Sequence, residues 1–423
     1  MIHFDNIKKY SLNNGLQIIL FQDKSFPLVS VNVWYKVGSA NETIKKSGLA
    51  HLSEHLMFQG SLHVPKEAHF KHIEEAGGTL NGSTNKDRTN YYETLPSNHL
   101  ELALWLESDR MGFLVDALDD EKFDNQLSVV TNERKERYDN EPYGRAYELI
   151  FSNIFPLTHP YHAPVIGWQN DLNNLTISDA KNFLKTFYSP NNASLVVAGD
   201  FNSNEAEQLI NSYFGDFKSS VIEKPIFQKN ELTENKTLVY YDKVNLPRIY
   251  LVWLTDKSFS DEDFALSLSA YIIGNSKQKY LYKKLVYDEQ SAAGISCFAN
   301  TYKEAGMFVI TATAHENGEL DKIKESIFEV IEEIKNKGFA EDELARFLTL
   351  YNSHTIFSFQ NLSHIADSLN NYDFELGYPN GFNFELTNFR NLTTEKVNTH
   401  TKDCLSKPYF ELRILPQKEN NDN

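Results

Sequence analysis

The sequence predicts an α+β protein made of two related halves, each a mostly antiparallel β-sheet packed with α-helices. The first observation is size, because 423 residues of which 41% are hydrophobic exceed what one hydrophobic core usually holds. The second is repetition: strand-like and helix-like segments alternate up to about residue 217, and a similar order starts again near residue 238. The third is a polar stretch between them that contains Pro225. We therefore predict domains at 1–217 and 238–423, each of about 200 residues, joined by a linker at 218–237.

In the first half, strands are predicted where β-branched and aromatic residues cluster, and helices where apolar residues recur with helical spacing. The predicted strands are 16–21, 28–38, 79–84, 89–96 and 193–201. The predicted helices are 48–59, 66–76, 97–114, 119–139, 177–188 and 204–217. The second of these helices follows Pro65 and ends at Gly77-Gly78, and the two strands after the glycines form a predicted hairpin.

In the second half, the same two patterns predict a shorter set of elements. The predicted strands are 237–242, 248–255, 307–315 and 408–416. The predicted helices begin near residue 260 and cover 319–337 and 340–356. The final strand follows a helical stretch, as the strand at 193–201 does, so the halves resemble each other in element order and not in residue identity.

Composition excludes several classes of function. With 41 basic and 58 acidic residues the net charge is −17, and such a surface repels nucleic acid and anionic lipid. The two cysteines, Cys297 and Cys404, form no thiolate metal motif, so any metal must be bound by histidine and carboxylate. No apolar run is long enough for a membrane span, and the N-terminus lacks the features of a signal peptide. We therefore expect a cytoplasmic protein, or a periplasmic one if the N-terminus has been trimmed.

The segment His51-Leu52-Ser53-Glu54-His55 is the strongest candidate for a catalytic site. Residues four apart lie on one helix face, so His51 and His55 can bind one metal ion. Glu54 lies on the same side, where it can accept a proton from a water beside the metal. On spacing alone, a polar surface patch is an equally good interpretation. The flanking apolar residues favour the metal, because polar groups in a buried helix need a partner.

The H-x-x-E-H order is the inverted-zincin signature, and from here the chain resembles the pitrilysin/insulinase family of metallopeptidases. The resemblance covers essentially the whole chain, through "EHLMFQGS", "GGTLNGSTNKDRTNYYETLP", "VVTNERKE" and "NYDFELGYPN". Within the family, it resembles a bacterial processing-peptidase-like zinc-binding subunit. It implies a zinc-dependent endopeptidase, with one Zn²⁺ per chain, that hydrolyses short or unfolded peptides in a closed chamber.

The resemblance also implies a third metal ligand on a later helix. The matching residue is Glu133, 78 positions after His55, and Glu136 is a nearby alternative that the preceding pair of valines disfavours. The family commonly has a glutamate seven positions before this ligand, where this chain has Gln126. An amide can orient a ligand from the second shell but carries no charge. His63, His69 and His72 are spaced like ligands too, but we interpret them as a solvated helix face.

The resemblance places substrate along an exposed edge strand formed by Thr79, Leu80, Asn81, Gly82 and Ser83, with Asn81 near the scissile bond. An alternative is that the preceding glycines mark only a helix end and a turn.

In the family that the chain resembles, a second, metal-free half supplies an arginine and, seven positions later, a tyrosine, which bind substrate. Here those positions are Val286 and Ala293, and no arginine after residue 240 is followed by tyrosine at this spacing. We therefore expect a heterodimer whose partner lacks H-x-x-E-H and carries the Arg/Tyr pair. The competing hypothesis is a non-catalytic core subunit of an assembly that retains the peptidase fold.

Overall fold

The computed structural model of the chain describes residues 6–223, 227, 230–316 and 318–417. Within the linker predicted at 218–237, residues 224–226 and 228–229 lie outside the described residues. The domain boundaries at 217 and 238 stay a prediction.

The strands of the described residues lie close to where the sequence predicts them. They are β1 (Ile7–Ser11), β2 (Gln17–Gln22), β3 (Leu28–Tyr35), β4 (Thr79–Thr84), β5 (Thr89–Pro96), β6 (Ala193–Gly199), β7 (Lys236–Asp242), β8 (Arg248–Thr255), β9 (Ala292–Thr301), β10 (Gly306–Ala314) and β11 (Tyr409–Pro416). β1 and β9 are not predicted from the sequence. β1 lacks a hydrophobic pattern because three of its five residues are exposed, and β9 begins with small residues and has a mostly half-exposed surface.

The helices are α1 (Leu49–Leu56), α2 (Ala68–Glu75), α3 (Leu100–Ala117), α4 (Asp120–Arg134), α5 (Ala146–Ile154), α6 (Gln169–Leu172), α7 (Ile177–Phe187), α8 (Ser203–Phe214), α9 (Asp261–Asn275), α10 (Leu320–Lys337), α11 (Glu341–Ser358), α12 (Leu362–Leu376), α13 (Phe382–Arg390) and α14 (Thr394–Ser406). The segments Lys135–Asn140 and Tyr282–Asp288 are π-helical. In the part of the chain that the structure describes, no helix combines the length and the apolar character needed to cross a bilayer.

The two sheets have the same strand order. The first runs β1-β2-β6-β3-β5-β4 and the second runs β7-β11-β8-β10-β9. Without β1, each sheet has five strands, and we number them by their order along the chain. From one edge of the sheet to the other, these strands are then the first, fifth, second, fourth and third. Each sheet has one parallel pair, β2 with β6 and β7 with β11, and its other pairs are antiparallel. The predicted fold class, two related α+β halves with mostly antiparallel sheets, is confirmed.

The chain divides into two compact units, and each unit is built from three separate stretches of the sequence. The first comprises the described residues of Met1–Arg134, Ala163–Ile226 and Thr355–Asn383, and the second comprises those of Lys135–His162, Phe227–His354 and Phe384–Asn423. The helix α12 therefore belongs to the first unit, although it lies far along the chain. Its side chains Ile365, Ala366 and Leu369 are buried against Ile19 and Val196 of the first sheet.

Candidate metal centre

The helix α1 begins at an unusual N-terminus. Gly48 precedes it with a φ of +93°, in the left-handed region, and has no side chain to cap the helix. The carboxylate of Glu42, in the preceding loop, accepts hydrogen bonds from the backbone N–H groups of Gly48 (3.0 Å) and Ala50 (2.8 Å). Glu42 thus takes the place of a capping side chain. Sequence reasoning missed it because this contact has no characteristic spacing.

Replacing Glu42 with alanine leaves two N–H groups of α1 without their acceptor. We expect the free energy of unfolding to fall by about 1–3 kcal/mol, measured by urea denaturation. Glu67→Ala is a matched control, because Glu67 precedes α2 but makes no side-chain capping bond. Equal losses in the two variants would contradict a capping role for Glu42.

The structure brings His51, His55 and Glu133 together. The Nε2 atoms of His51 and His55 lie 3.8 and 3.3 Å from Glu133 Oε2, and potential ligand atoms of the three residues all lie within 4.8 Å of one another. The histidines lie one turn apart on α1, and Glu133 comes from the last turn of α4. All three side chains are partly buried. Two imidazoles and one carboxylate suit a divalent cation. Glu136 lies in the π-helical segment after α4 and is exposed.

Glu54 lies beside this group and is held by the sheet. The hydroxyl of Thr84, the last residue of β4, donates a hydrogen bond of 2.6 Å to Glu54 Oε2. Burial raises the pKa of the Glu54 carboxyl above its usual range, and the Thr84 hydroxyl opposes this by stabilising the ionised form. A carboxylate with a raised pKa is a better proton acceptor. Thr84 is a second residue that sequence reasoning missed, since the contact joins elements 30 residues apart.

Gln126 is buried on α4 and hydrogen-bonds the side chain of His55. Burial alone would lower the pKa of His55, but the hydrogen bond and charge of Glu133, the charge of Glu54 and the contact with Gln126 together raise it. An amide oxygen can orient the imidazole here without adding a negative charge.

The residues predicted to bind substrate lie on the outermost strand of the first sheet. β4 pairs with β5, from Thr79 opposite Thr94 to Thr84 opposite Thr89, and among the described residues no strand pairs with its other edge. Asn81 is exposed and Ser83 is half-buried. The edge therefore has backbone groups available to an extended chain.

One interpretation of the histidines is wrong. His69 does not lie on a solvated face, because it is buried near Glu93 and Glu107, and potential ligand atoms of these three lie within 4.8 Å of one another. The guanidinium of Arg110 already binds Glu107, with Nε at 2.9 Å from Oε2, so a second cation beside it is unfavourable. Burial raises the pKa of Glu93 well above its usual range and lowers that of His69, so both groups favour their neutral forms.

In the second unit, the positions of the expected Arg/Tyr pair carry apolar side chains. Val286 lies in the π-helical segment Tyr282–Asp288 and packs against the core of the second unit. Ala293 is exposed in β9. Neither side chain has a hydrogen-bond donor for a substrate.

Comparison with known families agrees with this arrangement. Residues 17–160 match the model described as "Insulinase (Peptidase family M16)", and residues 174–350 match the one described as "Peptidase M16 inactive domain". The chain belongs to the insulinase family. The insulinase match contains the H-x-x-E-H segment and Glu133, and the inactive-domain match begins in the first unit and extends through β10 and α10.

This insulinase-family chain is similar to two named proteins and to one solved structure over most of its length. It is 28% identical to "Zinc protease PqqE" of Helicobacter pylori over 367 residues, which cover 86% of this chain and 82% of the relative. It is 24% identical to a probable mitochondrial-processing peptidase subunit beta of Arabidopsis thaliana, over 72% of this chain and 59% of that protein. The crystal structure of a protease from Helicobacter pylori matches with a TM-score of 0.90 at 26% identity, covering 97% of this chain and 99% of that one.

Proposed function

We propose that the chain is the metal-bearing subunit of a zinc-dependent endopeptidase that hydrolyses short or unfolded peptides. The observation that carries the proposal is the convergence of His51, His55 and Glu133 beside Glu54. The name of the Helicobacter pylori relative as a zinc protease supports the choice of metal.

The donor set fits zinc. In catalytic zinc sites three protein ligands leave a fourth position open, and ligands about 2.1 Å from the metal in a tetrahedron lie about 3.4 Å apart. The separations of 3.3 and 3.8 Å between the histidine Nε2 atoms and Glu133 Oε2 are close to that value. When bound, zinc supplies a Lewis acid that polarises a carbonyl and lowers the pKa of water.

The chain's own residues then have distinct roles. Glu54 accepts a proton from the attacking water and returns it to the leaving amine. Thr84 holds one oxygen of Glu54 in place, and Gln126 orients the ring of His55. The edge of β4, with Asn81 near the scissile bond, aligns an extended peptide through backbone hydrogen bonds. Only an unfolded or short chain can present its backbone in this way, which gives the substrate class.

The Arg/Tyr pair that would steady the substrate is expected on a partner subunit of similar fold that lacks H-x-x-E-H. The processing-peptidase relative, which is named as a subunit, supports a partnered state. We expect the isolated chain to cleave a fluorogenic peptide at least about 100-fold more slowly than the chain mixed with such a partner, because oxyanion donors contribute that much to catalysis. Full activity of the chain alone would rule out the partner requirement.

The second candidate function is a non-catalytic subunit of an assembly. It is favoured by the apolar residues Val286 and Ala293, by Gln126, and by the match to a domain described as inactive. Elemental analysis separates the two functions. About one zinc per chain supports the peptidase, whereas a metal-free chain that binds no added zinc supports the structural role.

Replacing Thr84 with valine should move the acid limb of the pH profile of peptide hydrolysis. The Thr84 hydroxyl favours ionised Glu54, so its removal raises the pKa of Glu54. Because Glu54 acts only when ionised, activity is lost at a higher pH as the solution is acidified. We expect the acid limb of the kcat/KM profile to lie at higher pH in this variant, whereas Thr186→Val, on the surface of α7, should leave it in place as the control. A shift to lower pH would contradict this role for Thr84.

A further inference from the structure

A polar pocket lies on the first sheet, on the face away from α1. Its volume is about 210 Å³, and its walls come from β3, from β4, β5 and the turn that joins them, and from α12. The side chains that matter here are Ser83, Arg88, Asn90 and Asp367. All belong to the first unit, and within the described residues none of them hydrogen-bonds Glu54, although the charge of Arg88 lowers the pKa of that carboxyl.

The pocket is placed to receive side chains of a peptide bound to β4. Successive residues of a strand point to opposite faces of the sheet. Thr84 points to the α1 face, where it contacts Glu54, while Ser83 points to the α12 face, where its hydroxyl donates to Asn90 Oδ1 at 2.7 Å. A peptide added to the β4 edge about 4.8 Å away alternates in the same way. Every second side chain of that peptide therefore points toward the α12 face.

One wall of the pocket offers a charged donor. Nη1 of Arg88 donates to the carbonyl oxygen of Ser83 at 2.9 Å, to its hydroxyl at 2.5 Å and to Asn90 Oδ1 at 3.1 Å. The guanidinium also lies 5.1 Å from the centre of the Trp34 ring, which holds it in place. Within the described residues, every hydrogen bond of the Arg88 side chain leaves from Nη1. The second amino group, Nη2, remains a donor for a ligand.

The opposite wall offers a charged acceptor. Asp367 Oδ1 accepts hydrogen bonds from Trp34 Nε1 at 2.9 Å, Asn90 Nδ2 at 2.9 Å and Asn32 Nδ2 at 3.3 Å. In the described part of the chain these three bonds all end on the same oxygen, so Oδ2 keeps its capacity as an acceptor. The carboxylate is fixed in position by the sheet, as the guanidinium of Arg88 is.

A cation and an anion in one small pocket select among ligands. A carboxylate side chain would be attracted by Arg88 but repelled by Asp367. An ammonium group would be attracted by Asp367 but repelled by Arg88. An amide has both a carbonyl oxygen for Arg88 and an NH₂ group for Asp367. We propose that the pocket is a subsite for an asparagine or glutamine side chain of the peptide substrate. The proposal rests on the proposed function, because it requires a peptide on the β4 edge.

The test uses the chain together with its partner subunit. Peptides that differ at one scanned position, carrying glutamine, glutamate, lysine or leucine, are titrated against the Glu54→Gln variant by fluorescence polarisation. They are then compared as substrates of the unmodified complex. We expect the peptide with glutamine at one scanned position to bind about tenfold more tightly than the peptide with leucine there. Because alternate side chains point to the same face, glutamine two residues from that position should be tolerated better than glutamine at the position between them. Arg88→Met should bring this ratio close to one, while Arg390→Met, an exposed arginine of α13, should leave it unchanged.

A second variant allows the proposal to be tested even if Arg88→Met does not fold. Ser363→Phe, at the start of α12, fills the pocket from the side opposite Arg88 and should also abolish the preference for glutamine. No binding of any peptide, equal binding of all four peptides, or a preference for glutamate or lysine would overturn the proposal. Hydrolysis without a glutamine preference removes the subsite and leaves the peptidase function standing. A glutamine preference in binding without hydrolysis retains the subsite and removes the peptidase function.

Discussion

The Glu54→Gln variant is expected to lose peptide hydrolysis by about 10²–10⁴-fold in kcat/KM while keeping its zinc. The amide has nearly the shape of the carboxylate and can still accept a hydrogen bond from Thr84, but it cannot take a proton from water. Glu54 is not among the three residues whose ligand atoms converge, so metal content should not change. The measurement pairs a fluorogenic-peptide assay of the complex with elemental analysis of the same samples.

Glu75→Gln provides the matched control for Glu54. Glu75 is an exposed glutamate at the end of α2 and, in the described part of the chain, forms an ion pair with the surface residue Lys71 alone. It should keep full activity. If Glu54→Gln retained activity within a few-fold of the unmodified chain, Glu54 would not be the general base.

The second large effect is expected for Glu133→Ala, which removes one of the three proposed zinc ligands. Two imidazoles alone should bind zinc too weakly to retain it through dialysis, so both zinc content and hydrolysis should fall to near zero. Gln126→Ala removes only a contact to His55 and should cost about 10–100-fold in zinc affinity. Competition with a chelator of known affinity measures both losses on one scale.

Glu136→Ala is the control that discriminates between the two glutamates. Both lie in the charged run after the paired valines, but Glu136 is exposed in the π-helical segment. We expect it to keep its zinc. Loss of zinc in Glu136→Ala but not in Glu133→Ala would reverse the assignment.

The sequence predicts local features well because local chemistry determines them. The bounds of β4 and β5 agree with the prediction to the residue, since glycines and turn residues enclose two segments of high β-propensity. The spacing of His51 and His55 on one helix face needs only helical geometry. The prediction that Glu133 lies near these histidines required the family resemblance, because no local rule relates positions 78 residues apart.

The contacts that the sequence could not predict are those made across the fold. Glu42 caps α1, Thr84 holds Glu54 and Asp367 binds the first sheet, and each contact depends on a loop path or a strand register. The interpretation of His69 was wrong for the same reason. Helical spacing identifies which residues share a face but does not say whether that face meets water or another element.

The position of α12 also bears on how the chain reaches its native state. Ile19 and Val196 of the first sheet are covered by a helix that ends at residue 376 of the 423-residue chain. During synthesis, these strands emerge long before their cover does, and contacts of such high sequence separation form slowly. A nascent chain stopped in the predicted linker would expose this apolar face to other chains. The unit that bears the metal site can therefore be completed only when nearly nine-tenths of the protein has left the ribosome.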